Sequence, residues 1–318
     1  MAYGDAYGLD VSHGGGIPAD LDALFDQTES LAATPRAVTE LPGGLTNRNY
    51  KVTTPDGILV ARIALGGTEL LAIDRDCEHR NSVTAAAAGV GAPVIEYRPQ
   101  DRLLVLGYIE GRTLDSADVA DERNIPRIAI ACRRLHAGGR FGNDFDMFDI
   151  QRGYLAVARS RGFRIPAGYD DLLPPFSAAE KALAARATAT VPCHNDLLAA
   201  NFIDDGDRIW LIDYELSGNN DPCFELGNIA AESRLSGDAL AALVTAYYGR
   251  PRRSMIARAR LLSLVSMYGW TLWGAIQNGA SPLEYDFWSW AMERFEGAAA
   301  GFTADGYPAL LEEVQRDD

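Results

Sequence analysis

The segment from residue 191 to residue 215 constrains the fold more than any other part of this sequence. It reads VPCHNDLLAANFIDDGDRIWLIDYE and sets five polar residues among apolar neighbours: His194, Asp196, Asn201, Asp213 and Glu215. The two apolar runs on either side of the turn sequence DDGD predict a β-hairpin. Because folding the hairpin returns Asp213 towards Asn201, the acceptor groups are expected to converge on one point.

Converging carboxylate and amide oxygens need a cation between them. Two carboxylates and an amide at strand ends would repel unless a positive ion held them, and Mg²⁺ prefers oxygen ligands of this kind. Turn formation is the simpler explanation, since Asn and Asp are common in turns. It accounts for DDGD but not for CHNDLLAANF, in which Asp196 and Asn201 lie among apolar residues. The spacing therefore indicates a magnesium site.

Composition and charge narrow the class of protein. The chain has 318 residues, 47% of them hydrophobic, which suffices for one large domain or two lobes with a shared core. Its net charge of −15 and the lack of a Lys/Arg-rich block argue against a nucleic-acid partner. The four cysteines include no CxxC pair, so neither a zinc site nor a disulfide framework is indicated. With no secretory signal and no apolar run of membrane-spanning length, the sequence predicts a cytoplasmic protein.

The periodicity of apolar residues predicts an α+β chain with two lobes. Four β-type runs, NYKVTT, ILVARIA, APVIEY and RLLVLGYI, surround one helical stretch, and the chain beyond GYIEGRTL is mainly helical apart from the hairpin. We expect a flexible N-terminus at 1–17, a small β-rich N-lobe with one helix at 18–107, and a hinge at 108–112. The C-lobe, at 113–318, is expected to carry the catalytic loop and the hairpin.

The order of polar residues in the 191–215 segment is that of a kinase catalytic loop. A His-x-Asp triplet is followed by an Asn five residues later and by an Asp on the next strand, here His194, Asp196, Asn201 and Asp213. Asn195 stands where phospho-regulated protein kinases carry an arginine, and no APE-like segment follows. The pattern therefore predicts a small-molecule kinase with a protein-kinase-like fold, in which His194 is structural rather than a general base.

Four segments, in order, resemble the choline/ethanolamine kinases within the aminoglycoside-phosphotransferase-like small-molecule kinases. LPGGLTNRNYKV resembles their nucleotide-side loop, PCHNDLLAANFI their catalytic loop, LIDYELSGNNDPCFELGNIAAE their metal segment, and GWTLWGAIQNGASPLEYDFWSWAMERF their choline-holding aromatic helices. The resemblance runs from about Leu41 to Phe295. It implies ATP and Mg²⁺ as cofactors and a small, cationic alcohol as the acceptor.

The expected nucleotide-binding residues are assigned from local chemistry and from this resemblance. A Gly-Gly pair between two β-runs lets backbone N–H groups approach phosphate oxygens, although such a pair alone is more often an ordinary hairpin turn. Arg62 takes the strand position where kinases place a lysine on the phosphates, with Glu78 as its expected partner and Asp74 as the weaker alternative. The expected nucleotide-binding residues are Gly43, Gly44, Thr46, Asn47, Arg62, Glu78 and, through hinge backbone groups, Tyr108 and Ile109.

Catalysis is expected to rest on positioning and charge neutralisation. Asp196 would accept the proton, or a hydrogen bond, from the substrate hydroxyl, while Arg62 neutralises developing charge. Asn201 and Asp213 would hold Mg²⁺ across the phosphates. Glu215 is a further metal ligand, for a second ion.

The aromatic C-terminal helices supply the expected acceptor pocket. Trp270 and Trp273 lie three apart on a predicted helix and so share one side of it, and Trp290 follows after a turn. An aromatic stripe at helical spacing is usually core. Yet tryptophan faces near a carboxylate are what a quaternary ammonium needs, since it binds by cation–π attraction. The resemblance implies a cage of these three tryptophans with Glu232 as the carboxylate.

Departures from the family pattern leave the acceptor open. The family often has Asp at the position of Glu225, His at that of Ile229 and an aromatic residue at that of Leu216. Ethanolamine, a methylated relative or another amino alcohol therefore stand beside choline as possible acceptors.

Two alternatives to an amino-alcohol kinase are also open. An aminoglycoside or other small-alcohol phosphotransferase would share the fold, but it should line its pocket with many carboxylates, and residues 256–290 contain only Glu284 and Asp286. A nucleotide-binding pseudokinase or regulatory module would be expected to lack one of Asp196, Asn201 and Asp213. All three are present. The sequence leaves the oligomeric state undetermined.

Overall fold

A five-stranded antiparallel sheet forms the N-terminal lobe of the computed structural model, which describes residues 19–66 and 68–317. The flexible segment expected at 1–17 lies outside the described residues. The strand order is β1-β2-β3-β5-β4. The elements are α1 (Ala19–Asp26), β1 (Ala37–Leu41), β2 (Asn47–Thr54), β3 (Gly57–Ala64), α2 (Arg75–Ala87), β4 (Val94–Arg98) and β5 (Leu103–Gly107).

Helix α2 turns a polar face towards the inside of the molecule. The helix begins after Asp74, whose side chain accepts hydrogen bonds from the N–H groups of Asp76 and Cys77, both at 2.9 Å, and so caps the first turn. Its buried residues are Glu78, Asn81, Ser82 and Ala85. Three of these four are polar, and buried polar side chains need partners. The face is therefore built for a polar site rather than for the apolar core.

The C-terminal lobe begins with two small β-ribbons. Strands β6 (Arg112–Thr113), β8 (Phe202–Asp204) and β9 (Ile209–Leu211) form one, and β7 (Val191–Cys193) and β10 (Gly218–Asn220) form the other. The chain between β7 and β8 is the predicted catalytic loop. The chain between β9 and β10 carries the predicted metal carboxylates. Each of these two segments is thus fixed at both ends by a strand, which places them side by side.

Nine helices complete the described part of the C-terminal lobe. They are α3 (Ser116–Ala120), α4 (Ile125–His136), α5 (Met147–Arg161), α6 (Leu173–Ala185), α7 (Pro222–Glu232), α8 (Gly237–Tyr248), α9 (Arg253–Ala280), α10 (Phe287–Phe302) and α11 (Tyr307–Glu313). Helix α9 packs against α5, α7 and α10 and is buried on nearly all sides. A helix that is apolar all round belongs in the core. Helix α9 is the central support of this lobe.

The predicted α+β architecture agrees with the structure. Each of the four β-runs contains a strand, one helix lies between the second and the third, and β8 and β9 form the predicted hairpin. Helices α1, α3, α5 and α11 and strands β1, β6, β7 and β10 were not predicted. Among the described residues, no helix combines the length and the apolar character that crossing a bilayer requires.

Candidate active site

Asn195 holds the catalytic loop against the strand that follows the metal segment. Its side-chain nitrogen lies 3.2 Å from the carbonyl oxygens of both Leu216 and Gly218, and its side-chain oxygen accepts a hydrogen bond of 2.9 Å from Asn220. Its φ angle is +68°, a conformation that Asn adopts more readily than most residues. At the position where protein kinases use an arginine, this chain thus uses a buried amide.

Glu225, in the first turn of α7, anchors the backbone of the same loop. Its two carboxylate oxygens accept hydrogen bonds from the N–H groups of His194 at 2.8 Å and Asn195 at 2.7 Å. Burial acts to raise the pKa of Glu225, but hydrogen bonds from His136 and from the backbone N–H of His194 help to outweigh burial and hold that pKa below its usual value. Glu225 therefore stays ionised while fully buried. It contacts the backbone of the loop and His136.

His194 links the catalytic loop to the metal segment. Its Nε2 donates to the carbonyl oxygen of Ile212 at 2.7 Å, and its Nδ1 accepts from the N–H of Asp196 at 3.3 Å. These two bonds require a neutral ring with its proton on Nε2. Burial lowers the pKa of His194, which favours the same neutral form. Both contacts are to backbone, as a structural role for this histidine requires.

Asp196, the predicted base, faces several other charged side chains. Burial raises its pKa well above the usual value, and the negative charges of Glu232, Asp213 and Glu215 raise it further, while Arg294 acts in the opposite sense. A carboxylate with a raised pKa is a stronger base at neutral pH. Asp196 is thus close enough to the predicted metal carboxylates and to the predicted acceptor carboxylate for their charges to act on its pKa.

Folding of the hairpin brings the predicted metal ligands Asn201 and Asp213 together. The N–H of Ile212 donates to the backbone oxygen of Asn201 at 3.0 Å, and the side-chain nitrogen of Asn201 donates to the carbonyl of Asp196 at 2.8 Å. The second bond uses the amide nitrogen, so the amide oxygen is the atom that could bind a cation. Asp213 has a φ angle of +75°, in the left-handed region, so the backbone leaves the extended conformation soon after β9 ends.

Three carboxylates meet where the two lobes face each other. Ligand oxygens of Glu78, Asp213 and Glu215 all lie within 4.8 Å of one another. Burial acts to raise the pKa of Asp213, but the Arg62 guanidinium beside it outweighs burial and lowers that pKa. An oxygen-only donor set of this kind suits a hard cation such as Mg²⁺. With Asn201 nearby, the residues present fit the predicted metal.

Arg62 is the cation at the centre of these carboxylates. Its Nε lies 2.9 Å from Glu78 Oε1, one Nη lies 3.2 Å from Glu215 Oε2, and the same Nη forms an ion pair with Asp213. The side chain is 7% exposed. A guanidinium can make these contacts simultaneously because its donors diverge in a fixed fork. Asp74, the other partner considered, caps α2 instead.

Arg75 is a second arginine in this cluster and was not among the predicted site residues. Its Nη1 lies 2.7 Å from Glu78 Oε2 and 2.9 Å from Glu215 Oε2. Its spacing from Glu78, three residues along α2, could have suggested the first contact. The contact with Glu215 spans 140 residues and has no local signal.

The nucleotide-side loop touches the metal segment directly. Thr46 donates from its hydroxyl to Glu215 at 2.7 Å, and the Asn47 side chain donates to Glu215 at 2.8 Å. Gly43 has a φ angle of +97°, and a Cβ atom on Gly44 would lie 1.9 Å from the carbonyl oxygen of Asn47. Both glycines are therefore required by the shape of this loop.

At the predicted hinge, one backbone donor is already engaged. The N–H of Tyr108 donates to the carbonyl of Ile58 at 3.2 Å, continuing the pairing of β3 with β5. The Tyr108 ring lies 4.2 Å from the ammonium of Lys51. The predicted contact with a nucleotide base would therefore use other backbone groups of the hinge, including those of Ile109.

The predicted acceptor pocket contains an unpredicted arginine. The rings of Trp273 and Trp290 are 5.1 Å apart, and the guanidinium of Arg294 lies 3.4 Å from the centre of the Trp290 ring. Arg294 also forms a two-pronged ion pair with Glu232, with Nε lying 3.2 Å from Oε1. Trp270, one turn before Trp273, is buried and lies against Phe145. The only sequence signal for the contact between Arg294 and Trp290 was their i, i+4 spacing on α10.

The sequence and the fold of this chain are similar to those of known proteins. Residues 37–261 match the sequence profile of the phosphotransferase enzyme family. The chain belongs to this phosphotransferase family. A solved structure of a choline/ethanolamine kinase family protein from Mesorhizobium loti superposes with a TM-score of 0.82 at 30% identity, covering 93% of this chain and 98% of that one.

Curated relatives of this phosphotransferase include choline- and ethanolamine-related proteins. Protein LicA of Haemophilus influenzae is 28% identical over 269 residues, which are 80% of this chain and 77% of LicA. Ethanolamine kinase 1 of Mus musculus is 27% identical over 310 residues, covering 82% of this chain and 83% of the mouse protein. The predicted membership of the choline/ethanolamine kinases and the protein-kinase-like fold are thereby confirmed. The chain is a small-molecule phosphotransferase with an alcohol group as acceptor.

Proposed function

We propose that this phosphotransferase moves the γ-phosphoryl group of Mg-ATP to the hydroxyl of a small amino alcohol of the choline–ethanolamine class. The observation that carries the proposal is the position of Asp196. The side chain of Asn201, a predicted metal ligand, donates to the Asp196 carbonyl at 2.8 Å, and the N–H of the next residue, Leu197, donates at 2.9 Å to Asn228 of α7, the helix that ends at Glu232. A base placed between a phosphate site and a carboxylate suits an acceptor with a hydroxyl at one end and a positive charge at the other.

The nucleotide would bind between the glycine loop and the hinge. Backbone N–H groups around Gly43 and Gly44 approach the phosphates most closely because neither residue has a side chain. Arg62 and Glu78 would orient the phosphates from β3 and α2, with Thr46 and Asn47 fixing the loop to Glu215. Hinge backbone groups at Tyr108 and Ile109 would bind the base.

The metal ligands would be Asn201, Asp213 and Glu215. When bound, Mg²⁺ neutralises the charge on the phosphate oxygens and holds them in line for transfer. The support for this set is its all-oxygen chemistry and the convergence of its members at the ends of β8 and β9. Arg75 and Arg62 reduce the repulsion among the carboxylates in the absence of other cations.

The chemical step follows from the position of the base. Asp196 accepts the hydrogen bond, and finally the proton, of the acceptor hydroxyl. The hydroxyl oxygen forms a bond to the γ-phosphorus as the bond from that phosphorus to the β-bridging oxygen breaks, and ADP leaves. The products are the O-phosphorylated amino alcohol and ADP. Arg62, from β3, would stabilise charge on the transferring group.

The acceptor charge would be held by Glu232 and the predicted cage of Trp270, Trp273 and Trp290, in which Arg294 stacks on Trp290 and pairs with Glu232. An aminoglycoside acceptor is disfavoured because it needs several carboxylates for its ammonium groups. Glu284 and Asp286 are both exposed, and Asp286 accepts a hydrogen bond of 2.9 Å from the N–H of Ser289 as the cap of α10. Neither carboxylate is therefore positioned to line a polyamine pocket.

The test is ADP release from Mg-ATP with ethanolamine, choline or kanamycin as acceptor. We expect turnover with an amino alcohol, none with kanamycin, and loss of turnover in Asp196→Asn, which keeps the shape of the side chain but removes its basicity. Chelation of Mg²⁺ should also stop the reaction. Turnover with kanamycin alone, or undiminished turnover in Asp196→Asn, would contradict the proposed function.

A further inference from the structure

Leu71 belongs to the N-terminal lobe by its place in the chain and to the C-terminal lobe by its packing. It lies in the connection between β3 and α2, and its side chain is 1% exposed. It packs in the large hydrophobic core of the C-terminal lobe, which is separate from the N-terminal core around Phe25 and Leu103. The short 3₁₀ turn that carries it, Thr68–Leu71, lies against α5 and α9. The β3–α2 connection is therefore anchored in the opposite lobe.

Tyr154 of α5 fixes the backbone of the connection at the same point. Its hydroxyl donates to the carbonyl oxygen of Leu71 at 2.7 Å, and its side chain is buried. Burial raises the pKa of Tyr154, and the negative charges of Glu215 and Asp196 raise it further. The hydroxyl therefore stays protonated and remains a hydrogen-bond donor. The proposed transfer step does not use this tyrosine.

The backbone between Leu71 and α2 is held in an unfavourable conformation. Ala72 has a φ angle of +57°, in the left-handed region that residues with a Cβ atom seldom adopt. Such a conformation persists only where the surrounding structure fixes the chain. Here Tyr154 holds the residue before Ala72, and Asp74 caps α2 two residues after it. The attachment to the C-terminal lobe thus sets the point at which α2 begins.

The first turn of α2 carries two side chains of the candidate active site. Arg75 lies 2.7 Å from Glu78 and 2.9 Å from Glu215, and Glu78 forms an ion pair of 2.9 Å with Arg62. In protein kinases the corresponding helix must be in place before its glutamate can pair with the basic residue that contacts the phosphates. A shift of this turn would therefore move both ion pairs away from the metal segment.

The middle of α2 is held by a separate set of contacts. The side-chain nitrogen of Asn81 donates to Asn143 at 2.8 Å and to the Ser217 hydroxyl at 3.0 Å, and both partners belong to the C-terminal lobe. Loss of the Tyr154 hydroxyl should therefore leave α2 folded and attached. Only its first turn would gain freedom of position.

We propose that Tyr154 is a positioning residue for phosphoryl transfer, which holds the Leu71 carbonyl and thereby places Arg75 and Glu78 at the phosphate side of the cleft. Tyr154 takes no part in the bond changes and acts through the backbone of the β3–α2 connection. The inference rests on the proposed function for the identity of the nucleotide. It adds a residue of α5, in the C-terminal lobe, to those that position the nucleotide phosphates.

The test is Tyr154→Phe, which removes the hydroxyl and keeps the ring in the core. The measurements are the Kd for Mg-ADP by calorimetry, the kinetic constants for Mg-ATP and for ethanolamine, and the melting temperature. We expect the Kd for Mg-ADP to rise and kcat/KM for Mg-ATP to fall, each by about tenfold, the scale of one lost hydrogen bond. The KM for ethanolamine at saturating Mg-ATP should stay within about twofold of wild type.

Tyr268→Phe is the matched control. The hydroxyl of Tyr268 donates to the carbonyl of Tyr169 at 2.8 Å, and its side chain is fully buried in α9. Both variants lose a buried hydrogen bond from a tyrosine to a backbone carbonyl, so the melting temperature should fall in both. Only Tyr154→Phe should change the constants for Mg-ADP and Mg-ATP.

Leu71→Val tests the same attachment without altering Tyr154. Removing one methylene group should loosen the packing of the connection and raise the Kd for Mg-ADP. Its control is Leu243→Val, because Leu243 is fully buried in α8 and loses the same group. That control should lower the melting temperature and leave the Kd for Mg-ADP at the wild-type value.

Two results would overturn the inference in distinguishable ways. If Tyr154→Phe and Tyr268→Phe are destabilised alike and both keep the wild-type constants for Mg-ADP and Mg-ATP, Tyr154 is merely structural and the proposed function stands. If wild type binds no Mg-ADP and does not use Mg-ATP, the proposed function fails and this inference fails with it.

Discussion

At the scale of single residues, the catalytic loop depends on a histidine that must remain uncharged. His194 uses one ring nitrogen as donor and the other as acceptor, to Ile212 and Asp196. Its pKa is lowered by burial below the value of about 6.5 that it has in an unfolded chain. Because the unfolded chain then binds a proton that the folded chain does not, His194 contributes its full stability above about pH 6.5 and loses it as pH falls through the folded pKa.

Replacing this histidine should therefore flatten part of the pH dependence of stability. Between pH 7.5 and pH 5.5, we expect the free energy of unfolding of wild type to fall more than that of His194→Gln. The two decreases should differ by up to about 1.4 kcal/mol for each unit by which the pKa of His194 is lowered. Urea unfolding at the two pH values measures the difference. Equal slopes in both proteins would show that His194 does not titrate across folding.

Arg62 allows a test of why this kinase uses an arginine on β3. A lysine has one ammonium group and cannot contact Glu78, Asp213 and Glu215 together. Arg62→Lys should lower kcat/KM by at least about tenfold, since more than one charge-assisted contact is lost. The matched control is Arg48→Lys, because Arg48 forms a two-pronged pair with Glu40 on the exposed face of the neighbouring strand. Similar losses in both variants would refute a special role for Arg62.

At the scale of elements, the glycine loop between β1 and β2 is shaped by contacts with its own backbone. A methyl group on Gly44 would overlap the carbonyl of Asn47 at 1.9 Å. Gly44→Ala should therefore displace the loop and raise the KM for ATP by at least about tenfold, roughly 1.4 kcal/mol of binding free energy. Gly237→Ala is the control, since nothing lies within 4 Å of its added Cβ. An unchanged KM for ATP in Gly44→Ala would place the nucleotide elsewhere.

The elements that could be predicted were those with strong local signals. The β8–β9 hairpin was predicted from DDGD between two apolar runs, and helix α9 from its length and composition. Helix α5 was missed because its buried residues, Gln151 and Tyr154 among them, are too polar to form a clear apolar stripe. Helix α1 is short and ends in Asp26 without a clear stop signal. Tertiary packing, not local pattern, stabilises these two helices.

The contacts among the site residues that could be foreseen differ from those that could not in how far apart the residues lie in the sequence. Asp196, Asn201 and Asp213 lie close together in sequence, so their convergence followed from one hairpin. Arg75 meets Glu215 across 140 residues, and Arg294 meets Glu232 across 62. No spacing rule links such pairs, and an arginine on a helix is ordinarily a solvated charge.

At the scale of the whole molecule, one charged network joins the two lobes. Arg62, Arg75, Thr46 and Asn47 all come from the N-terminal lobe, and all contact Glu215 of the C-terminal lobe. Glu215→Gln should weaken this junction, because the amide keeps the shape but loses the charge that both arginines need. We expect a lower melting temperature together with weaker Mg²⁺ dependence of activity. A change in the Mg²⁺ dependence alone would mean that Glu215 binds metal without joining the lobes.

The central claim is that this cleft transfers a phosphoryl group to the hydroxyl of an amino alcohol with Asp196 as the base. The most direct measurement is ³¹P NMR of a reaction containing Mg-ATP and ethanolamine, run with wild type and with Asp196→Asn. The account predicts a new phosphomonoester signal coupled to the methylene protons next to the oxygen, matched by ADP, and absent with Asp196→Asn. Inorganic phosphate as the sole product, or the same phosphomonoester from Asp196→Asn, would contradict it.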